Sequence, residues 1–595
     1  MQSPRHTYRA GVIGNCSFLA HVDDRANVSW MCWPAFDSSF VFGGLLDPEK
    51  GGRFHIKPAQ EGFRTNQYYL QNTNVLCTDF EGDSGSFRVT DFAPRFSQKE
   101  RNYKPLMLIR KVEPLIGTPR LCVSCRPVGE YGELVPSVNM GSNHLQFTQM
   151  ERDVRLTTNI PLNYVMDERE FLLTEAKYMV LTWGIPLEAP LVYTCEDFLR
   201  KTTDYWREWV RRCQIKSLWQ QELIRSALVL KIHQYEDTGA IIASATTSLP
   251  EAPGSGRTWD YRYCWMRDSY YTLKALNDIG HFEELEKYAF YIQNIAFGDQ
   301  ERYAPVYSIL GDLDFEEREL NLAGYQGNQP VRIGNQAREH VQNDVYGQIL
   351  VSLLPLYVDQ RLVGAKRNTT SALIMRLLHF IEKTMDEPDA GLWEFRHFSQ
   401  RHCYTFLFHW AGSCAAVKIA EQLRHDEMKQ LAERLMQEST AQIEACYRPE
   451  IGAYAQAIEV DHLDASLLQL ITMGYLDPTS ERARRHLEAL EEALKTPEGL
   501  FYRYRHADDF GEPETTFLVC AFWYVDALAC VGRVSDAERY LKNLLKYTNH
   551  LGLLSEDVAA SNGAQWGNFP QTYSHVGLMN AANRITSRLD RPIFL

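Results

Sequence analysis

The chain has 595 residues, 62 basic against 76 acidic for a formal charge of −14, with 45% apolar and 23% charged residues. At about 100–200 residues per domain this is chain for two to four domains with a sizeable core, and the composition excludes disordered, collagen-like and coiled-coil classes. The acidic balance lacks the footprint of a nucleic-acid binder, and no run of about 18 apolar residues exists for a membrane span.

From the N-terminus to about residue 200 the pattern is that of strands: short period-two runs broken by Gly, Pro, Asn and Asp. GSFRVTDF at 85–92, LMLIRKVE at 106–113 and YMVLTW at 178–183 are examples, separated by turn chemistry such as DPEKGGR at 47–53 and EGDSGS at 81–86. Many short strands at this spacing predict an antiparallel sandwich. The opening MQSPRHTYRAG has no apolar core of a secretory signal, so a cytoplasmic location is expected. Thirteen cysteines is an odd number without the Cys/His spacing of a zinc site; Cys16, Cys32, Cys264, Cys403, Cys414 and Cys530 sit in apolar surroundings like reduced core thiols. No metal or cofactor is expected.

After about residue 200 the period becomes helical. Trp219, Leu223, Ala227 and Leu230 share a face, as do Tyr346, Ile349, Leu350 and Leu353. Met428, Leu431 and Leu435 repeat the pattern, as do Leu487, Leu490 and Leu494, then Leu541, Leu544 and Leu545. Ser535 with Glu538 reads as a capping box for the last of these. There is no βαβ alternation, GxGxxG or P-loop, which argues against a nucleotide enzyme. A dozen or so helices can close into a double-layered barrel or stack as a solenoid, and periodicity alone does not choose between them.

Three loop-like stretches gather polar and aromatic residues beyond what a core requires. In WDYRYCWMRD, 259–268, aromatic rings interleave with Asp260, Arg262, Arg267 and Asp268, a mixture suited to sugar faces and hydroxyls; the alternative is a buried Arg–Asp pair pinning a helix start. In GLWEFR, 391–396, Trp393 offers Glu394 an apolar wall that raises a carboxyl pKa, whereas Arg396 would lower it on contact. In LLSEDV and the following QWGNFPQTYSH, Glu556 and Asp557 precede a loop whose Asn568, Gln571, Ser574 and His575 could hold a water or sugar; acidic residues at a helix start and a structural histidine are the plainer reading. Taken together, the loops supply two carboxylates, as glycoside hydrolysis needs: one protonated to assist the leaving oxygen, one ionised as nucleophile or base. The aromatic surplus of 12% suits such a site.

At these residues the sequence resembles glycoside hydrolase family 15, the glucoamylase and trehalase family. The resemblance runs from IGNCSFLAHVDDRANVSWMCWPAFDSSFVFGGLLDPEKGG through TGAIIASATTSLPE, WDYRYCWMRD, GYQGNQPVRIGN, GLWEFR, LDASLL and GLFYRY to LGLLSEDV and GNFPQTYSHVGLMNAA. It implies an N-terminal antiparallel β-sandwich over 1–200, a helical linker over 201–235 and an (α/α)6 barrel over 236–595. Carried over by position, Glu394 matches the general acid and Glu556 the general base of an inverting reaction, with carboxyl groups roughly 6.5–9.5 Å apart. Tyr261, Trp265, Arg267, Asp268, Trp393 and Arg503 match residues around the terminal glucose.

The sequence departs from the family pattern at Asp557, where Gln or Glu is usual, in HFSQRHCYTFLFHWAGSCAA after the acid, and in EHVQND at 339–344. The last two are expected to border the leaving-group side. The resemblance implies an exo-acting α-glucosidase of the glucoamylase kind on maltooligosaccharides or short α-glucosides, with an α,α-trehalase second and an isomaltose or dextran specificity third. An inverting phosphorylase would replace the base by phosphate, which Glu556 argues against. A sugar-binding pseudo-enzyme would lack Glu394 or Glu556, and both are present.

Overall fold

The computed structural model describes residues 5–216, 218–298, 301–362 and 371–589. Its first part is an antiparallel β-sandwich. One layer is an eight-stranded sheet in the order Ser137–Met140, His144–Thr148, Val154–Thr158, Lys177–Trp183, Met107–Gly117, Gly85–Phe92, Leu76–Gly82, Arg64–Tyr69. Facing it are a four-stranded meander, Ala10–Gly14 to Phe40–Phe42, and a three-stranded sheet centred on Arg120–Arg126. Alternate side chains fill the space between the layers; Ile13, Met31, Phe54, Phe87, Leu108 and Leu181 are all buried there. A fully buried ion pair ties the layers, with Arg110 Nε donating to Asp91 at 2.7 Å and its other nitrogens to the Phe54 and Ala26 carbonyls. The strand Arg120–Arg126 also carries a Cys-x-x-Cys spacing, Cys122 and Cys125; strand alternation sends the two thiols to opposite faces, and both are free.

The helix Leu191–Arg211 leads into an (α/α)6 barrel. Its inner ring runs Met266–Asp278, Val345–Val358, Cys403–Leu423, the short Ala465–Leu468 and Gln469–Thr472 pair, Leu518–Cys530 and Thr572–Leu589; each packs on the next and the last packs on the first. Outer helices alternate with them: Gln220–Ile232, Phe282–Phe297, Ser371–Thr384, Asp426–Ala445, Glu481–Leu494 and Val534–Leu544. The two rings differ in chemistry. Every residue of LVCAFWYVDALAC, 518–530, is buried, whereas ERARRHLEALEEAL, 481–494, buries only one stripe. The helix Val534–Leu544 starts one residue before Ser535 and is preceded by Arg533 with no side-chain cap, so the expected capping box does not form.

The sandwich and barrel share a continuous core, with Trp30, Phe40 and Tyr8 packed among barrel residues. Trp30 Nε1 donates to the Ala245 carbonyl at 2.7 Å, and a buried charge network joins the parts: Arg95 to Glu236 at 2.7 Å, Lys231 to Glu284 at 3.0 Å and Lys287 to Glu236 at 2.6 Å. Among the described residues no helix is long and apolar enough to cross a membrane.

Candidate active site

The loops that precede the inner helices build the site. In WDYRYCWMRD the two Arg–Asp pairs part company. Arg262 and Asp260 form a wholly buried pair at 2.6 Å, and Arg262 reaches the Ser38 carbonyl of the sandwich, a structural role. Arg267 and Asp268 instead occupy the first turn of Met266–Asp278, where the helix dipole favours the acidic partner, and they face a cavity. Burial pushes Asp268 up to about 6 against the pull of Arg267, 3.3 Å away.

That cavity, about 510 Å³, is lined by Tyr261, Trp265, Arg267, Asp268, Trp393, Glu394 and Arg503 together, although these positions span 242 residues of chain (503 − 261). Ala243, Leu392, Phe517, Trp523, Gln571 and Tyr573 complete it. Glu394 sits at φ 63°, in the left-handed region that costs a non-glycine residue energy and is found at functional sites. Its Oε1 accepts from the Trp265 indole at 2.6 Å and from Arg267 at 3.4 Å. Trp393 lines the same cavity as Glu394, and its indole donates to Asp464 at 2.8 Å. Arg396 is directed elsewhere, to Glu317 at 3.1 Å and over the Trp259 ring at 4.6 Å.

The loop carrying Glu394 is anchored by buried Asp389, which accepts from Asn343 N at 2.8 Å, Thr405 Oγ1 at 2.9 Å and Gly391 N at 3.0 Å. Val341 and Asn343 therefore back the loop carrying Glu394, and of EHVQND only His340 lines the second cavity described below.

Glu556 lies behind the cavity wall, 1% exposed and lining neither cavity. Its Oε2 accepts from Asn568 N at 3.0 Å, and Oε1 has no protein partner. Gly567, at φ 73°, makes this approach feasible: a Cβ there would stand 2.6 Å from the Glu556 Cβ and Oε2. Of the loop residues expected to hold ligand, Gln571 lines the cavity, while Asn568, Ser574 and His575 serve the fold. Asn568 bonds Thr246 and the Trp259 carbonyl, Ser574 the Ser555 carbonyl, and His575 joins Ser226 to Leu554 N.

Glu251 was not singled out from the sequence, although it ends the TTSLPE motif. It is buried, ion-paired with Arg503, and accepts from the Trp259 indole at 3.1 Å. Glu251, Glu556 and Asp557 each bring an oxygen within 4.8 Å of the others, the one His/Cys/Asp/Glu group of such spacing among the described residues. The Arg503 guanidinium supplies countercharge to it. Burial first, then the charge of Glu251, pushes Glu556 up to about 8, while Asn568 N, Tyr261 and Arg503 oppose the rise; Asp557 is likewise raised.

A second cavity of about 540 Å³ shares Tyr261, Trp393, Glu394 and Arg503 with the first. Its walls include Arg257, Trp259, Arg396 and the turn carrying Asp508, Asp509 and Phe510. That turn is strapped to both sides: Arg257 bonds Asp508 and the Gly511 carbonyl, and Asp509 accepts from the backbone amides of Arg396 and His397. Nothing periodic in HADDFGEPE marks this strap in the sequence.

A two-layer sandwich feeding a six-hairpin helical barrel, with two cavities meeting at a carboxylate, is the architecture of a glycosidase. The chain belongs to glycoside hydrolase family 15: the profile of Glycosyl hydrolases family 15 matches residues 219–583, and that of Trehalase-like, N-terminal, matches 2–164. A protein named trehalase from Thermoplasma acidophilum is 30% identical over 94% of this chain and 96% of its own length; one from Mycobacterium tuberculosis is 30% identical over 94% and 86%. A crystal structure of a bacterial glucoamylase complexed with acarbose superposes with a TM-score of 0.70 at 14% identity, covering 99% of this chain and 96% of that one.

Proposed function

We propose that the protein hydrolyses α,α-trehalose with inversion, Glu394 acting as general acid and Glu556 as general base. The observation that carries this reading is the pair of adjoining cavities that share Glu394: one for the glucosyl ring whose bond is cut, one for the ring that leaves. In the first, Arg267 and Asp268 are placed to hold hydroxyls. In the second, Trp259 is no open stacking platform, because the Arg332 and Arg396 guanidinia cover it at 4.8 and 4.6 Å. The wall is instead charged and hydrogen-bonding, which suits one hydroxyl-rich ring better than an extended oligosaccharide. Relatives named trehalase along nearly their whole length favour the same disaccharide over the maltooligosaccharides expected first. Thirteen free thiols are compatible with a reducing, cytoplasmic setting.

With Glu394 Oε1 fixed by Trp265 and Arg267, Oε2 is the atom to carry the proton onto the glycosidic oxygen. Glu556 Oε1, free of protein partners, accepts a proton from the water that attacks the anomeric carbon from the opposite face. The bond to the leaving oxygen breaks as the bond to water forms, and each carboxyl exchanges one proton. Glu394→Gln and Glu556→Gln should each lower kcat on trehalose by about 10²–10⁴-fold with an unchanged circular dichroism spectrum. Near-normal turnover in either folded variant contradicts the assignment.

A further inference from the structure

The amide that holds Glu556 belongs to a peptide unit gripped on its other side by the sandwich part of the chain. Asn568 N donates to Glu556 Oε2 at 3.0 Å, and the carbonyl of that same peptide, Gly567 O, accepts from the Tyr8 hydroxyl at 2.9 Å. A peptide unit is a rigid plane, so fixing its oxygen fixes its N–H. The chain of bonds from hydroxyl to carbonyl to amide to carboxylate also polarises cooperatively. Tyr8 is 4% exposed and lies in the segment before the first strand, 548 residues from Glu556 by subtraction (556 − 8).

Neighbouring contacts hold Tyr8 in place. Its amide donates to Gln565 Oε1 at 3.0 Å, Gln565 N donates to the His6 carbonyl at 3.0 Å, and the Tyr8 ring stacks on Phe569 with centroids 4.8 Å apart. His6 stacks on Trp566 at 4.4 Å. Gly567 N in turn donates to the carbonyl of Pro250, the residue before Glu251. The loop under the carboxylate is thus clamped between barrel and N-terminal segment.

We propose that Tyr8 is a positioning residue for the reaction: its hydroxyl orients the Gly567–Asn568 peptide so that the Asn568 amide holds Glu556 for its work as base. The inference rests on the reading of Glu556 given above. The charged and titratable groups facing Glu556 are Glu251, Asp557, Tyr261, Arg503 and the Tyr8 phenol itself, which burial, Tyr325 and the two carboxylates hold well above its ordinary value and so keep neutral; removing its hydroxyl leaves the other four in place. Of these, the amide bond and the groups Tyr261 and Arg503 favour the ionised carboxylate. Weakening the amide bond therefore makes Glu556 harder to ionise.

The test is Tyr8→Phe, which keeps the ring stack and removes only the hydroxyl, compared with Tyr8→Leu and Glu556→Gln. Expected for Tyr8→Phe is a fall in kcat of roughly ten-fold on trehalose, little change in KM, and an acid limb of kcat/KM displaced to higher pH. Wild-type kcat and pH profile in Tyr8→Phe, with Glu556→Gln inactive, overturns the role of the hydroxyl alone. Wild-type behaviour of Tyr8→Phe with loss only in Tyr8→Leu overturns it in favour of packing. Substantial turnover by Glu556→Gln overturns the base assignment and this inference with it.

Discussion

Glu556 is held at one oxygen and bare at the other, in a cluster where the charge of Glu251 opposes its ionisation. In the proposed reaction the base must be ionised, so kcat/KM is expected to rise with pH as Glu556 loses its proton. Because the negative charge of Glu251 raises the Glu556 pKa, neutralising it lowers that pKa and carries the acid limb to lower pH. Glu251→Gln should therefore show the limb displaced downward when kcat/KM on trehalose is measured across pH; an unmoved or upward-moved limb contradicts the coupling. Seven of the eight site residues inferred from family resemblance line one cavity. What escaped was Glu251, whose partner Arg503 lies 252 positions away, a pairing with no local signature. The contacts of Arg396 are likewise set by distant partners. Adjacency in sequence left its contact with Glu394 open, and the side chain instead reaches Glu317 and the Trp259 ring, partners that no local spacing marks.

Among the elements, the strap at 508–511 forms one wall of the second cavity. It is a turn with no apolar pattern, held by Arg257 on one side and by the amides of Arg396 and His397 on the other, and Phe510 closes against Trp259 with ring centroids 5.1 Å apart. Phe510→Ala should raise kcat/KM for a non-reducing trisaccharide, trehalose with a further glucose on its leaving ring, several-fold relative to trehalose itself. An unaltered ratio means that the strap does not limit the leaving group. The helices of the barrel were legible as periodic stripes, but the distinction between rings was not obvious from stripes alone. In Val345–Val358 the stripe of Tyr346, Ile349, Leu350 and Leu353 is real, yet Val345, Gly347, Gln348 and Ser352 are buried as well, because an inner helix meets protein on all sides. The capping box failed because the turn at Gly532, φ 85°, begins the next helix before Ser535. Strands such as Gly85–Phe92 were visible by alternation, but not their neighbours: Met107–Gly117 pairs with both Gly85–Phe92 and Lys177–Trp183, a register set by core packing across distant segments.

At the scale of the whole molecule, sandwich and barrel are joined by charge as well as by apolar contact. Against the upward push of burial, Arg95 first and then Lys231 and Lys287 hold Glu236, and Lys231 holds Glu284, well below the ordinary carboxylate range. A carboxylate with a lower pKa folded than unfolded adds stability above its unfolded value, here 4.5, and that stability is lost as pH falls below it. Unfolding midpoints should accordingly decline below about pH 4.5, and Lys231→Met should cost about 3–5 kcal/mol at neutral pH by taking from buried Glu284 its lysine partner, while Glu236 keeps Arg95 and Lys287. A denaturant midpoint unchanged by Lys231→Met contradicts the network's role. The same joining brings the Tyr8 hydroxyl to the Gly567 carbonyl, on the peptide whose amide holds Glu556. The central claim, inverting hydrolysis of trehalose, is tested most directly by proton NMR of the anomeric region from the first minutes of reaction. Inversion at one of two α-linked rings yields one β-glucose from the ring attacked and one α-glucose from the ring that leaves, so the two should appear in equal amounts before mutarotation. Early α-glucose alone, or trehalose left intact while maltooligosaccharides are cut, would contradict it.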